Sequence, residues 1–393
     1  MDESKIHKLK ATLFGAVAAA AGACYLFTMS STTLEIDVGE LATAQALAGI
    51  PHPTGYPLFT MLGWLFAQIP SPLTTIAQLN LLAALLTAAA AGGVATAAFE
   101  AFRNLDAFSI STTSAPKKKR RRKNAKRKPK RKLSNKAGEE KAEAEPEALD
   151  YRVALIAAGA AGLFAAFGET FWLQSVAVEV YALHLAVVSL ALNLIMKART
   201  APEETAWKYW YGLAVALALG FANHMTTLML LPGIAYLYFQ RYRIDARSLE
   251  RVGKMIAVFV PILAALYLYL PLRAAADPAL NWGDPTTWES FVRHVTGAQY
   301  RVWMFQSTES AQRQIEAYFA AIPDVSTIAA ALAVLGAAWL WRRGRALLWF
   351  LAISFGFTVL YASTYEIHDI ETYYLLADVA LAILAGEKVV GLN

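Results

Sequence analysis

Apolar runs of roughly eighteen or more residues recur along this chain, and that one feature restricts it to a bundle of membrane-spanning helices. Inside hydrocarbon every backbone N–H and C=O needs an internal partner, which a helix supplies within its own segment. The candidate spans are 11–30, 75–102, 151–169, 176–196, 207–222, 225–239, 255–272, 325–341, 346–362 and 374–388. Composition agrees: 57% of residues are hydrophobic and 17% are charged, where a soluble domain carries about a quarter charged. The expected fold class is an all-α polytopic membrane protein of about ten transmembrane helices. Cys24 is the sole cysteine, which excludes an internal disulfide framework and a cysteine-based metal site. No cleavage pattern follows segment 11–30, so it is read as a retained first helix.

The charges set an orientation. Basic residues gather in the N-terminus, in 103–132, at Lys197 to Arg199, from Arg241 to Lys254, and at Arg342 to Arg345. With the N-terminus inside, all of these fall on the cytoplasmic side, as the positive-inside rule asks. The stretch 57–69 is too short to cross and is placed as a juxtamembrane helix on the outer surface. Residues 117–132 alone hold 13 Lys or Arg, and removing these from the net +6 leaves −7. No folded reader module accompanies that block, so no nucleic-acid partner is expected; membrane lipid is the expected contact. The chain is taken as one domain, 1–393, with 104–150 a disordered charged cytoplasmic loop. The shortness of the last span predicts that relatives carry a further C-terminal portion.

The outer loops, by contrast, are rich in Asp, Glu, His, Asn, Trp and Tyr. Asp37 and Glu40 stand one helical turn apart just after the first span. They are either catalytic carboxylates or a capping box with Asp37 as cap. Pro51-His52-Pro53-Thr54-Gly55-Tyr56-Pro57 enforces a rigid turn that displays a His and a Tyr. Glu179 lies near the outer end of a span, where an ionisable group is a functional candidate. Asn223-His224 interrupts an apolar stretch at an outer turn, as a site or as a helix cap, and Arg273 exits a span at headgroup level, either to meet a phosphate or as an ordinary interfacial anchor. In the loop beyond it, Asp284-Pro285, or alternatively Thr286 with Glu289, opens an amphipathic helix. That helix has the stripe Trp288, Phe291, Val292 and Val295 and lies on the membrane. His294, Gln299, Tyr300 and Arg301 follow, and Asp369 closes the set at the mouth of the last span. No P-loop, dinucleotide fingerprint, HExxH or GxSxG motif occurs.

Asp37-Val-Gly-Glu40 followed by His52-Pro-Thr-Gly-Tyr56-Pro57 resembles a bacterial family of multi-pass membrane proteins related to the vertebrate transmembrane protein O-mannosyltransferase. Glu179-Val-Tyr181, Asn223-His224, Asn281-Trp282-Gly-Asp284-Pro285, Gln299-Tyr300 and the stretch from Asp369 to Tyr374 extend the likeness over most of the chain. The turn after an acidic loop is also similar to the GT-C class of membrane glycosyltransferases. The resemblance implies a GT-C-like fold and transfer of a sugar, mannose first among candidates. The implied donor is a polyprenyl-phosphate sugar and the implied acceptor a hydroxyl of a protein or glycan. The reaction would invert the anomeric carbon on the extracytoplasmic face of a bacterial inner membrane. Asp37 or Glu40 would be catalytic, with His52, Tyr56, Arg273 and His224 toward the donor phosphate. Glu179, Asn223, Trp282, Asp284, Gln299, Tyr300 and Asp369 would line the acceptor pocket. No cofactor is called for and no metal ligand set is assigned, although a carboxylate-rich pocket can take a divalent ion. The competing readings are a transporter or lipid flippase, which would place matched polar residues at mid-membrane in two halves, and a scaffold acting through its basic loop.

Overall fold

The computed structural model describes residues 3–34, 36–110, 151–367 and 369–389. The chain is a bundle of helices: α1 (Glu3–Thr28), α2 (Ile36–Leu47), α3 (Pro57–Ala67), α4 (Thr75–Phe102), α5 (Tyr151–Ala166), α6 (Glu169–Val176), α7 (Val180–Thr200) and α8 (Glu203–Phe221). Then come α9 (Leu231–Tyr242), α10 (Ala246–Tyr267), α11 (Tyr269–Ala274), α12 (Trp288–Val295), α13 (Thr308–Arg343), α14 (Arg345–Ser363) and α15 (Leu375–Lys388). Short 3-10 turns occupy 105–108, 225–230, 298–303 and 370–374. Among the described residues the only β pairing is two isolated bridges, Ile50 with Asn281 and Met304 with Tyr365.

Every predicted span corresponds to helix, but not every one is a full crossing by itself. Five helices are long and apolar enough, or up to seven when α5–α6 and the two halves of α13 each count as one bent span. The shortfall from ten has a plain source. Segment 225–239 is split into a 3-10 turn and the 12-residue α9, α15 has 14 residues, and α8 opens with Glu203 and Glu204. The stretch 57–69 forms the short apolar α3, as expected of a juxtamembrane helix.

Helices α4 and α7 form the centre. Small residues let the backbones close: Gly162 of α5 faces the Ala91 carbonyl and Ala95 of α4, and any side chain there would collide. At one end of the bundle the basic segments converge. Glu100 of α4 is fully buried and pairs with Lys10 at 3.2 Å, Arg103 at 2.8 Å and Lys197 at 3.1 Å, joining α1, α4 and α7. Arg241 bonds the carbonyls of Ala198, Arg199 and Ala201, and Arg251 pairs with Glu203 at 2.8 Å. Leu105 and Phe108 are buried in a 3-10 turn beside Gly344, so the first residues of the predicted disordered loop are ordered. The basic and acidic blocks of that loop lie outside the described residues.

The opposite end carries the polar loops, tied to one another through backbone bonds. Ser30 joins the Val176 carbonyl, Leu58 the Ala222 carbonyl, Trp282 the Ile50 carbonyl and Glu366 the Trp303 carbonyl. Two predicted caps are corrected here. Helix α12 starts at Trp288 under a Thr287–Ser290 capping box, not at Pro285 or from Thr286. Asp284 instead has φ 37, and its carboxylate accepts from Asn281 at 3.1 Å within a turn. Helix α2 already includes Ile36, so Asp37 lies inside it, and Glu40 bonds elsewhere than its own helix N-terminus. The apolar stripe of α12 is shared. Phe291 and Val295 pack on Ile50, Tyr267 and Leu270, while Trp288 and Val292 stay exposed.

Candidate active site

Two local structures meet to form the site. Helix α2 presents Asp37 and Glu40 one turn apart, and the proline-rich turn 51–57 folds back over them. The turn needs its glycine: Gly55 has φ +86, and a Cβ there would stand 2.9 Å from His294 Nε2 and from Leu270. The Glu40 carboxylate accepts the His52 backbone N–H at 2.6 Å and lies 3.2 Å from His52 Nδ1. A carboxylate oxygen only accepts, so in the neutral ring the proton sits on Nδ1. Nε2 is left to accept the Tyr56 hydroxyl, 3.0 Å away, which also lies 3.2 Å from the Pro53 carbonyl. Burial pushes the Glu40 carboxyl up, but the side-chain and backbone bonds from His52 outweigh it and hold the group below its ordinary value. Asp37 is exposed beside this pair. The ligand atoms of Asp37, Glu40 and His52 all lie within 4.8 Å of one another.

Aromatic rings frame the cluster. Trp282 and Tyr300 stand edge-on to His52 at 6.2 and 6.3 Å, and Tyr300 stacks on Trp303. Tyr300 is pushed up to about 12 by burial, eased by Gln299, with further upward pushes from Glu40, Asp37 and Asp369. All three carboxylates therefore lie within electrostatic reach of Tyr300. On the membrane side Tyr56 stacks on His224 at 6.0 Å, and Tyr181 and Tyr373 flank the same imidazole. Half-buried Glu179, at the N-cap position of α7, lies within electrostatic reach of Tyr56.

The structure thus gathers Asp37, Glu40, His52, Tyr56, Glu179, His224, Trp282, Gln299, Tyr300 and Asp369 around one region. Three sequence candidates hold other positions. Asn223 donates to the Val180 carbonyl at 3.0 Å and pins α8 to α7. Asp284 serves its own turn, as described above. Arg273 gives Nε to the Ala48 carbonyl at 2.6 Å and Nη2 to the Leu47 carbonyl at 3.1 Å, closing the C-terminus of α2. Its aliphatic neighbours Met61, Leu268 and Leu272 line an open apolar groove with Tyr269.

His294, a candidate from the outer loop, is instead 2% exposed and wedged between Gly55 and Gly283. Burial, then neighbouring His52, push it down to about 4, so it stands neutral behind the site. His184 and Thr226 went unread; a histidine in the middle of an apolar run was the available sign.

These features define a class: a polytopic helical membrane protein whose carboxylate, histidine and tyrosine cluster sits at one end of the bundle. The solved ArnT from Cupriavidus metallidurans, crystallised bound to undecaprenyl phosphate, shares this fold with a TM-score of 0.62 at 13% identity. The match covers 96% of this chain and 59% of that one, and it gives the chain a GT-C fold. Residues 37–248, more than half the chain, match the family described as the N-terminal domain of protein O-mannosyl-transferase TMEM260, and the chain belongs to that family. The mouse protein O-mannosyl-transferase TMEM260 is 26% identical over 302 residues. That alignment spans 75% of this chain and about a third, 35%, of the mouse protein.

Proposed function

We propose that the chain transfers a sugar from a polyprenyl-phosphate donor to an acceptor hydroxyl, with inversion at the anomeric carbon. The observation that carries this is the Asp37–Glu40–His52–Tyr56 cluster at the bundle end opposite the basic segments. By the positive-inside rule that end is extracytoplasmic, in a bacterial inner membrane. Nucleotide sugars are absent there, so the donor has to arrive on a lipid. Mannose and a protein Ser or Thr hydroxyl are the sugar and acceptor that the mouse relative's name supports.

The chemistry follows from the geometry. The acceptor oxygen attacks the anomeric carbon, and its proton passes to Asp37, the exposed carboxylate. Glu40 is committed to His52 and acts as its positioning group. The bond to phosphate breaks with its electron pair on oxygen. A phosphate leaves without protonation, so what it needs is hydrogen-bond donors. The Tyr56 proton is given to His52; His224 is near enough to the cluster to serve, and Arg273 retains Nη1 for the donor while Nε and Nη2 hold α2. The apolar groove beside Arg273 suits an isoprenoid chain. The test is incubation of the purified protein with labelled polyprenyl-phosphate sugars and hydroxyl-bearing peptides, read by mass spectrometry. Sugar attached to a peptide is expected. Hydrolysis or transfer that is equally fast in Asp37→Asn would reject the reading.

A further inference from the structure

Behind Tyr56 runs a second polar line, of which the transfer chemistry uses only His224 and gives no account of the rest. His184 comes from the interior of α7, His224 from the cap of the 3-10 turn that follows α8 and Thr226 from that turn itself. All three are buried, at 2%, 4% and 5% exposure. Thr226 Oγ1 lies 2.7 Å from His224 Nδ1 and 3.2 Å from His184 Nε2. The backbone N–H of Thr226 also points at His224 Nδ1, at 3.4 Å.

The direction of these bonds is fixed by what each group can do. A backbone N–H only donates, so His224 Nδ1 is an acceptor and its ring carries the proton on Nε2. The Thr226 hydroxyl has one proton, and the shorter contact assigns it to Nδ1. The Thr226 oxygen is then the acceptor for His184 Nε2–H. Three groups are aligned head to tail, from His184 through Thr226 to His224. A helix cap alone would not need this, since His224 already caps the turn by accepting from Thr226 N. A histidine inside an apolar helix is costly, and His184 Nδ1 has no partner among the described residues. The arrangement serves the ring at its far end. That ring is stacked on Tyr56, whose hydroxyl meets His52.

We infer that Thr226 and His184 are positioning residues that hold His224 as a neutral Nε2–H donor toward the departing phosphate oxygen. The inference rests on the sugar-transfer reading above. No proton is transferred by His224. The acceptor proton goes to Asp37 and the electron pair of the broken C–O bond stays on the phosphate.

Two measurements on the full chain in detergent test this. The first is nitrogen NMR of histidine-labelled protein, with His224 assigned by its loss in His224→Asn. The expected spectrum shows His224 protonated on Nε2, and Thr226→Val shifts it toward a tautomeric mixture. A ring protonated on Nδ1 in the wild type overturns the inference whatever the activity, and this holds even where Thr226→Val fails to fold. The second is single-turnover transfer. Partners that orient an imidazole typically count for about 10–100-fold. Thr226→Val and His184→Leu should each slow the step by about that factor with donor KM nearly unchanged, and Thr226→Ser should recover it. A wild-type rate in Thr226→Val, or a loss that Thr226→Ser does not recover, overturns the positioning role. If Asp37→Asn keeps full rate as well, it is the transfer reading that fails, and the nitrogen spectrum still decides the tautomer.

Discussion

Replacing Glu40 by Gln separates a positioning carboxylate from a catalytic base. In the native site one oxygen of Glu40 takes two contacts from His52, at 2.6 and 3.2 Å, with both side chains less than a fifth exposed. Each hydrogen bond to a charged partner is worth about 1.5–3 kcal/mol, where a neutral one is worth about 1. Gln keeps an oxygen for the backbone N–H but loses the charge that favours the proton on Nδ1. The expected deficit is therefore about 1.5–3 kcal/mol. At about 1.4 kcal/mol per factor of ten, that is a slowing of roughly 10- to 150-fold. Asp37→Asn, which removes the base itself, should cost roughly 10²–10⁴-fold with little loss of stability. The assay is single-turnover transfer at saturating donor, with thermal unfolding recorded alongside. A Glu40→Gln enzyme slower than Asp37→Asn would refute the assignment and make Glu40 the base. The pH dependence has a definite sign. The folded Glu40 value lies below its ordinary 4.5, so its contribution to stability is full above that value and is lost as pH falls through the folded one. Acid unfolding of Glu40→Gln should therefore be shallower than that of the wild type below pH 4.5.

Glu100→Gln leaves Lys10, Arg103 and Lys197 crowded without their carboxylate and should destabilise the fold by about 3–5 kcal/mol, read by thermal unfolding in detergent; a change under about 1 kcal/mol, the scale of an exposed pair, would contradict the buried network. Gly55→Ala places a methyl against His294 and Leu270 at φ +86 and should cost about 1–3 kcal/mol with loss of transfer; normal stability in that variant would contradict the tight turn. Transfer should survive a chelator, because His52 Nδ1 carries a proton toward Glu40 and Nε2 faces Tyr56, so neither nitrogen is free to ligate as arranged; activity lost to chelation and restored by a divalent ion would show that the trio binds metal. Single cysteines at 125 and 300, in a chain without Cys24, should label from opposite sides of sealed vesicles; labelling from one side would remove the outward-facing site.

What the sequence showed, and what it hid, follows from how far each signal reaches along the chain. The helical class was legible because a span needs about twenty apolar residues in a row, and such runs stand out against any background. The number of crossings was less so. Hydropathy cannot see that segment 225–239 breaks after Leu230, where the backbone passes from a 3-10 turn into α9. The first-loop site was legible because its parts are close in sequence: Asp37, Glu40, His52 and Tyr56 lie within 20 residues. The role of Glu40 was not, because capping and His52 binding use the same carboxylate, and only the folded turn shows which N–H it meets. Arg273 illustrates the same limit. A cation at headgroup level looks like a phosphate ligand in one dimension, yet two of its nitrogens close the end of a helix more than two hundred residues earlier. His184 and Thr226 were hidden for a related reason. Each is embedded in an apolar or ordinary-looking segment, and its partner arrives from another helix. The first-loop candidates were displayed by a local turn. His184 meets Thr226 and His224 only where the bundle brings α7 against the turn after α8, so a contact spanning more than forty residues has no sign in the local sequence.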